Sequence, residues 1–406
     1  MDRSIAMESA ENGTEETPLI EVGWLVAGRL DDVDLKATDQ ARERMLKEMR
    51  RSFPRFEWQM PMVRREDVAL PAREEPVHLL DYGVSERDAK SWDFAFVITG
   101  ADLVSHFRHY ALAASSRSLD VTVISTSRID PYGSGVPEEE RRERLARRIY
   151  VLALHLFGHL NGLGHADSPE DLMHDLGCVP DLDRMRTYSP DEVQALEAAL
   201  RQVADVRIEE RGDGLGPVLF YLHAARVGWR GIVNAVRHAQ PWTLPFRLSR
   251  LTTGACSALL ILLMTAEAWD LGMSQDPRVI AALSLLALVT TTAYIVKRQR
   301  LLVRRGVGGL REQTAISNIS VTLSILLGLL TTYAGLFLVV LALSLALYPE
   351  ELVTDWAASR EGEVALRHYL VLAGFIASLG IVIGSLGASF EEQQYFRHIA
   401  YVDEET

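Results

Sequence analysis

The sequence predicts two unlike parts: an α+β soluble domain in its first half and an α-helical transmembrane bundle in its second. Three observations predict this. Up to about Gly214, charged and apolar residues intermix over short segments, as in a soluble domain. From Leu251 onward the chain breaks into long apolar runs separated by short charged loops. The 48% hydrophobic content and the mean hydropathy of +0.05 are therefore averages over two different solvents.

Residues 1–18 are acidic and polar, with no apolar run behind a basic start, so they are expected to form a disordered lead-in. The soluble domain is expected over 19–210. It opens with a strand, Leu19 to Val26, and a helix from about Asp34 to Ser52 with a polar outer face. The segments FEWQMPMV, Trp92 to Gly100 and Leu119 to Ile129 are rich in aromatic and β-branched residues between turn formers, and are read as the remaining strands. After a loop with Pro131, Gly133 and Gly135, Pro137 followed by Glu138, Glu139 and Glu140 starts a helix that should run to about Asn161. A last helix, Ser189 to about Val206, begins on the Ser189, Pro190, Asp191, Glu192 capping signature.

Between 211 and 250, Phe220, Trp229, Trp242 and Phe246 alternate with Arg226, Arg230, Arg237 and Arg247. This mixture suits an interfacial helix and elbow at a bilayer surface; the alternative is an amphipathic linker packed on protein. Four apolar spans are expected within 251–390: Leu251 to Trp269, Val279 to Val296, about Ile319 to Tyr348, and Tyr369 to Ser389. The third is long enough to be tilted or broken. Lys297, Arg298, Arg300, Arg304, Arg305 and Arg311 mark the loop after the second span as cytoplasmic, while the loop from Pro349 to Glu363 is acidic. Four spans then put both termini in the cytoplasm, with an acidic cytoplasmic tail over 391–406. Glu267 is read as an interfacial carboxylate, and the Gly380, Gly384 pair as a close helix contact.

The net charge of −13 excludes a nucleic-acid partner, because the basic residues gather beside the apolar spans rather than on a phosphate-binding face. Two cysteines, Cys178 and Cys256, allow neither a disulfide framework nor a four-cysteine zinc site.

Chemistry concentrates in VLALHLFGHLNGLGHADSPEDLMHD, where His155, His159 and His165 have the spacing HxxxHxxGxxH. Residues four apart share one helix face, so His155 and His159 can offer imidazoles to one ion. Gly162 lets the chain turn sharply and return His165 as a third ligand. Three neutral imidazoles leave a fourth position for water.

This run resembles the metzincin zinc motif HExxHxxGxxH at every position but one, and among metzincins it is most similar to the archaemetzincins. WDFAFVITGADL, VTVISTSRIDP and DLDRM extend the resemblance, which covers roughly Val22 to Leu200. It implies a mixed twisted sheet with a zinc-binding helix, His155, His159 and His165 as ligands of one Zn2+, and Met173 as the hydrophobic floor beneath them. Two departures matter. Leu156 stands where the family keeps its general-base glutamate, so no catalytic residue is assigned. Ala166 follows His165 where the family has a cysteine, and Cys178 is alone, so a second zinc is not supported.

Asp167, Glu170, Asp171, Asp175 and His174 are close enough in sequence to be weighed as a replacement base, and Asp167 or Asp175 as a group orienting a ligand imidazole. The expected function is a membrane-anchored, cytoplasm-facing pseudo-peptidase that binds or senses a peptide or protein in its cleft, with the lipid bilayer as its other partner. The alternatives are an active zinc peptidase with a base from elsewhere, and a regulatory domain of a four-span membrane effector.

Overall fold

The computed structural model describes residues 17–106, 108–131, 135–203, 216–302, 312–357, 359, 364–388 and 393–406. Most of the lead-in 1–18, the boundary at 210, Arg304, Arg305 and Arg311 of the basic loop, and Arg360, Glu361 and Glu363 lie outside the described residues.

The soluble domain is α+β. Strand β1 (Leu19–Ala27) leads into helix α1 (Asp32–Ser52), whose first turn is capped by the Asp31 carboxylate accepting from the Asp34 amide. The FEWQMPMV segment forms two short strands rather than one, β2 (Glu57–Gln59) and β3 (Met62–Arg65), both parallel to β1. Pro61 stands between them, where it has no N–H to donate to a ladder. Strand β4 (Arg73–Glu74) and helix α2 (Pro76–Lys90) precede β5 (Phe94–Thr99) and β6 (Asp102–Leu103). An antiparallel pair, β7 (Ala113–Ser116) and β8 (Val121–Ser125), follows, then α3 (Glu138–Leu160) and α4 (Pro190–Val203).

The main sheet has the order β2-β1-β5-β8-β7, extended by a final strand, β9 (Glu404–Glu405), with β3 also on β1. Side chains alternate across it. Val22, Trp24, Phe94, Phe96 and Ile98 pack with α1 and α3, while Leu25, Ala95, Val97 and Val121 pack with α2. The second of these cores runs on without a break into the helical half.

That half begins with α5 (Pro217–Val227), α6 (Trp229–His238) and α7 (Leu244–Arg247). Val218, Leu219, Leu222, Trp229, Trp242 and Phe246 are exposed there, and Arg230 stacks over Trp229. The expected span Leu251 to Trp269 is not one helix: α8 (Ser249–Leu263) stops and α9 (Ala266–Ser274) restarts after an extended Thr265. The break is stable because the indole Nε1 of Trp269 donates to the freed Leu263 carbonyl and Thr265 Oγ1 donates to that of Ile261. Then come α10 (Pro277–Arg298), α11 (Glu312–Leu347), α12 (Glu350–Trp356), α13 (Leu366–Ala388) and α14 (Gln393–Tyr401). The third expected span is thus one continuous helix of 36 residues, about 54 Å long at the helical rise.

Three of these helices, within α10, α11 and α13, are long and apolar enough to cross a membrane. A fourth crossing is counted if α8 joins the helical stretch before it, from which it is bent by 52°. The segment α8–α9 runs the length of the bundle. Near its start, Tyr395 of α14 donates to the Arg247 carbonyl, and at its end Trp269 packs with Tyr348, Trp356 and Tyr369 at the opposite ends of α11 and α13. Glu267 is exposed on α9.

Within the expected acidic tail, residues 393–406 fold back onto the N-terminal domain through α14 and β9. Arg397 makes a bidentate pair with Asp81 of α2 at 2.6 and 2.8 Å, and Tyr401 donates to the Leu301 carbonyl.

Helices α8 and α13 meet through glycine. A Cβ on Gly384 would lie 2.8 Å from the Leu251 carbonyl oxygen and 2.9 Å from the Ala255 Cβ, whereas one on Gly335 of α11 meets nothing. Gly384→Leu should therefore destabilise the chain by about 1–3 kcal/mol in detergent thermal unfolding, with Gly335→Leu near neutral. Equal behaviour of the two variants would contradict this packing.

Candidate metal centre

Helix α3 presents the first two histidines because its other face is spent on the core. Leu145, Ile149, Leu152, Leu156 and Phe157 are fully buried, and Phe157 lies edge-on to Trp58 and Phe94. Glu138, Glu139 and Glu140 occupy the first turn, where the helix dipole favours negative charge. Near its N-terminal end, Arg141 bonds Asp31, Asp34 and Asp130, and farther along Arg148 holds Asp183 and the Ile129 carbonyl.

The helix ends in a Schellman turn. Gly162 has φ +88°, its amide donates to the His159 carbonyl at 3.0 Å, and the Leu163 amide donates to that of Gly158 at 2.9 Å. The positive φ is what requires glycine here; a Cβ would also lie 2.5 Å from the Arg117 guanidinium, which would have to shift. The chain then returns under the helix, with the Ala166 amide donating to the Met173 carbonyl at 2.8 Å.

Met173 is fully buried beneath α3, with its sulfur where a Cβ on Gly158 would come within 2.5 Å. Gly158 is thus part of the site's floor, a role that the spacing of the histidines alone does not reveal.

The turn brings all three histidines together. Their ring centroids lie 4.5, 4.8 and 5.9 Å apart, and their ligand nitrogens all fall within 4.8 Å of one another. His155 Nδ1 stands 2.7 Å from the Leu172 carbonyl oxygen and His159 Nδ1 3.1 Å from that of Leu163. A carbonyl only accepts, so each Nδ1 carries the proton and each Nε2 keeps its lone pair. Those two Nε2 atoms face each other at 3.0 Å, close to the separation of about 3.3 Å that two imidazoles at zinc–nitrogen distance subtend in a tetrahedral site. The residues therefore fit a zinc ion.

Burial, chiefly, lowers His155 to a pKa of about 4, and partial desolvation also lowers the more exposed His165. Both rings are held neutral, the form that ligates metal.

Backbone carbonyls, not carboxylates, thus orient His155 and His159. Asp175 instead pairs with Arg108 at 2.5 Å and gathers with His165 and Glu404, while Asp167 is exposed. Glu404, from β9, lies 3.9 Å from His165 Nε2 and 3.5 Å from Arg108. Burial raises its carboxyl to about 7; Arg108 works against that, and Asp175, Asp403 and Glu405 add to it. No signal in the motif region points to Glu404, which reaches the site only because the end of the helical half folds back.

No protein-family model and no curated protein matches this chain. Solved structures do. The similarity is to archaemetzincins. That from Methanopyrus kandleri is 15% identical, over 46% of this chain and 99% of its own, with a TM-score of 0.34. That from Archaeoglobus fulgidus is 13% identical, over 43% and 99%, with a TM-score of 0.33. A zinc-dependent peptidase from Methanocorpusculum labreanum is 17% identical over 43% and 99%, also at 0.33. The chemistry of this site rests on its own residues.

A bound zinc would polarise a carbonyl and lower the pKa of its water towards about 7. What this chain lacks is a group beside it on α3 to carry the proton, because Leu156 is an alkyl side chain buried in the core.

The buried neutral imidazole has a consequence for stability. The unfolded chain takes up a proton at this histidine below about pH 6.5, whereas the folded chain resists until about 4, so folding weakens as pH falls through that window. Metal-free protein should lose roughly 3 kcal/mol from this group between pH 6.5 and 4. Asp34 and Glu404, raised to about 6 and about 7, act in the opposite sense. The difference between wild type and His155→Gln in denaturant titrations isolates the histidine; an identical pH dependence in both would contradict its burial as a neutral ring.

Proposed function

We propose that this chain is a membrane-anchored, cytoplasm-facing zinc-binding module of archaemetzincin type, and that it holds a peptide or protein in its cleft without efficient hydrolysis. The observation that carries this reading is Leu156: the ligand geometry around it is intact, yet the position next to His155 is apolar and fully buried. Loss of a positioned acid/base group typically costs about 10² to 10⁴ in rate. Three converging imidazoles without a base beside them on the helix suit metal binding rather than turnover.

The membrane reading adds four crossings with both ends on one side. Strand β9 pairs with the sheet of the soluble domain, and a chain that leaves and rejoins one side of a bilayer crosses an even number of times. With α10, α11 and α13 as three crossings, this reading takes its fourth from α8, continued through the break at Thr265 into α9, rather than from α8 joined to the stretch before it. Lys297 and Arg298 end α10 on the soluble-domain side, and Glu350 and Glu351 start α12 at the other end, in keeping with a cytoplasmic soluble domain. The exposed aromatic and aliphatic side chains of α5 to α7, interleaved with arginines, suit the headgroup region.

A second reading is favoured by one observation. Glu404 places a carboxylate 3.9 Å from His165, so a hydrolase that draws its base from the end of the chain is chemically coherent.

The test is cleavage of a mixed peptide library by the full chain in lipid nanodiscs, beside His159→Ala and Glu404→Gln. The expected outcome is no hydrolysis above that of His159→Ala. Cleavage abolished by both substitutions would overturn the binding-module reading in favour of the second.

A further inference from the structure

Without β9, strand β7 would be the edge of the main sheet, presenting unpaired backbone groups where β9 now brings Glu404 within 3.9 Å of His165. Such an edge is a template for an added strand: main-chain bonds supply affinity and side-chain partners supply selectivity. Residues 403–406 occupy it in that manner. The Leu112 and Ala113 amides donate to the Thr406 carbonyl at 2.5 and 3.1 Å, the Thr406 amide donates to the Ala113 carbonyl at 3.0 Å, and the Asp403 amide donates to that of Ser115 at 3.0 Å.

The three acidic side chains are each matched. Asp403 accepts from the Arg117 amide at 2.6 Å. Glu405 accepts from Ser105 Oγ at 2.7 Å and the His106 amide at 3.1 Å, and it pairs with the buried His398. Glu404 faces Arg108 and His165. Beside the strand lies a cavity of ≈ 480 Å³, lined by His106, Arg108, Tyr110, Leu112, Cys178 and Thr406 itself. Backbone pairing together with a polar or charged partner for every carboxylate is the pattern by which a sheet edge holds an extended acidic peptide.

We propose that the edge of β7 is a receptor for an acidic extended peptide, and that residues 403–406 are its resident ligand, laying Glu404 against the His165 side of the metal centre. This rests on the function proposed above only in placing a metal beside the groove. Occupancy by the resident strand limits access to the histidines, and its position at the end of α14 ties that access to the helical bundle.

The experiment compares the full chain with one ending at Val402, which keeps α14, both in nanodiscs. The probes are fluorescent Val-Asp-Glu-Glu-Thr and its neutral counterpart Val-Asn-Gln-Gln-Thr, read by anisotropy. The shortened chain should bind the acidic peptide about tenfold or more tighter than does the full chain, and tighter than it binds the neutral one. The peptide should also restore slow hydrogen exchange at Leu112 and Ala113. Equal, weak binding by both chains would overturn the proposal and make β9 a fixed part of the fold. If the shortened chain aggregates, Glu405→Ala in the full chain decides instead: faster exchange confined to Leu112 and Ala113 supports a releasable strand, and unchanged exchange overturns it. Zinc content measured on the same samples separates the two readings, since absence of zinc throughout would sink the metal site while the peptide result still decides this one.

Discussion

Two imidazole nitrogens whose lone pairs face each other at 3.0 Å repel unless a cation stands between them. Everything around His155 and His159 holds them in that costly arrangement. The Leu172 and Leu163 carbonyls fix both tautomers, the buried face of α3 fixes the rings' direction, and the Gly162 turn returns His165 to complete the set. A fold that valued only stability would let a water or a hydroxyl separate the rings. Preserving the repulsion is what makes a metal the natural occupant.

The same site depends on a distant part of the chain. Arg108 joins Asp175, the Leu176 carbonyl and Glu404, so the loop that follows the third histidine is braced by the last strand of the protein. That strand is delivered by α14, which is itself held by Arg397 on Asp81 and by Tyr401 on the Leu301 carbonyl. The α2 side of the sheet and the helical bundle thus share one continuous core.

Much of this was legible in the sequence, and what was not has physical reasons. The histidine triad, Gly162 and the long helices follow from local spacing and composition, which are readable one segment at a time, and Met173 from the family resemblance. Helix α2 was missed because charge obscures its apolar stripe: Val77, Leu80 and Val84 have helical spacing, but Arg87 and Asp88 are buried with them. Strand β7, Ala-Ala-Ser-Ser, has none of the β-branched or aromatic residues that mark a strand, and it forms only because β8 and β9 flank it. The break at Thr265 hides inside an apolar run because side-chain donors from Thr265 and Trp269, not a proline, accompany it. Strand β9 could not be read at all: Asp-Glu-Glu-Thr is a solvated tail by composition, and only Arg108, Ser105 and His398 make it otherwise.

Leu156 sits at the junction of these findings. It is continuous with the core and adjacent to a ligand, so the residue that removes the proton carrier also stabilises the helix that bears the histidines. The central claim is that the histidines nonetheless bind zinc. Zinc-edge X-ray absorption on the purified full chain tests it most directly. About one zinc per chain, with three imidazole nitrogens at about 2.0–2.1 Å and loss of the signal in His159→Ala, is the predicted result. A chain without zinc, or zinc whose shell is unchanged by that substitution, would contradict it.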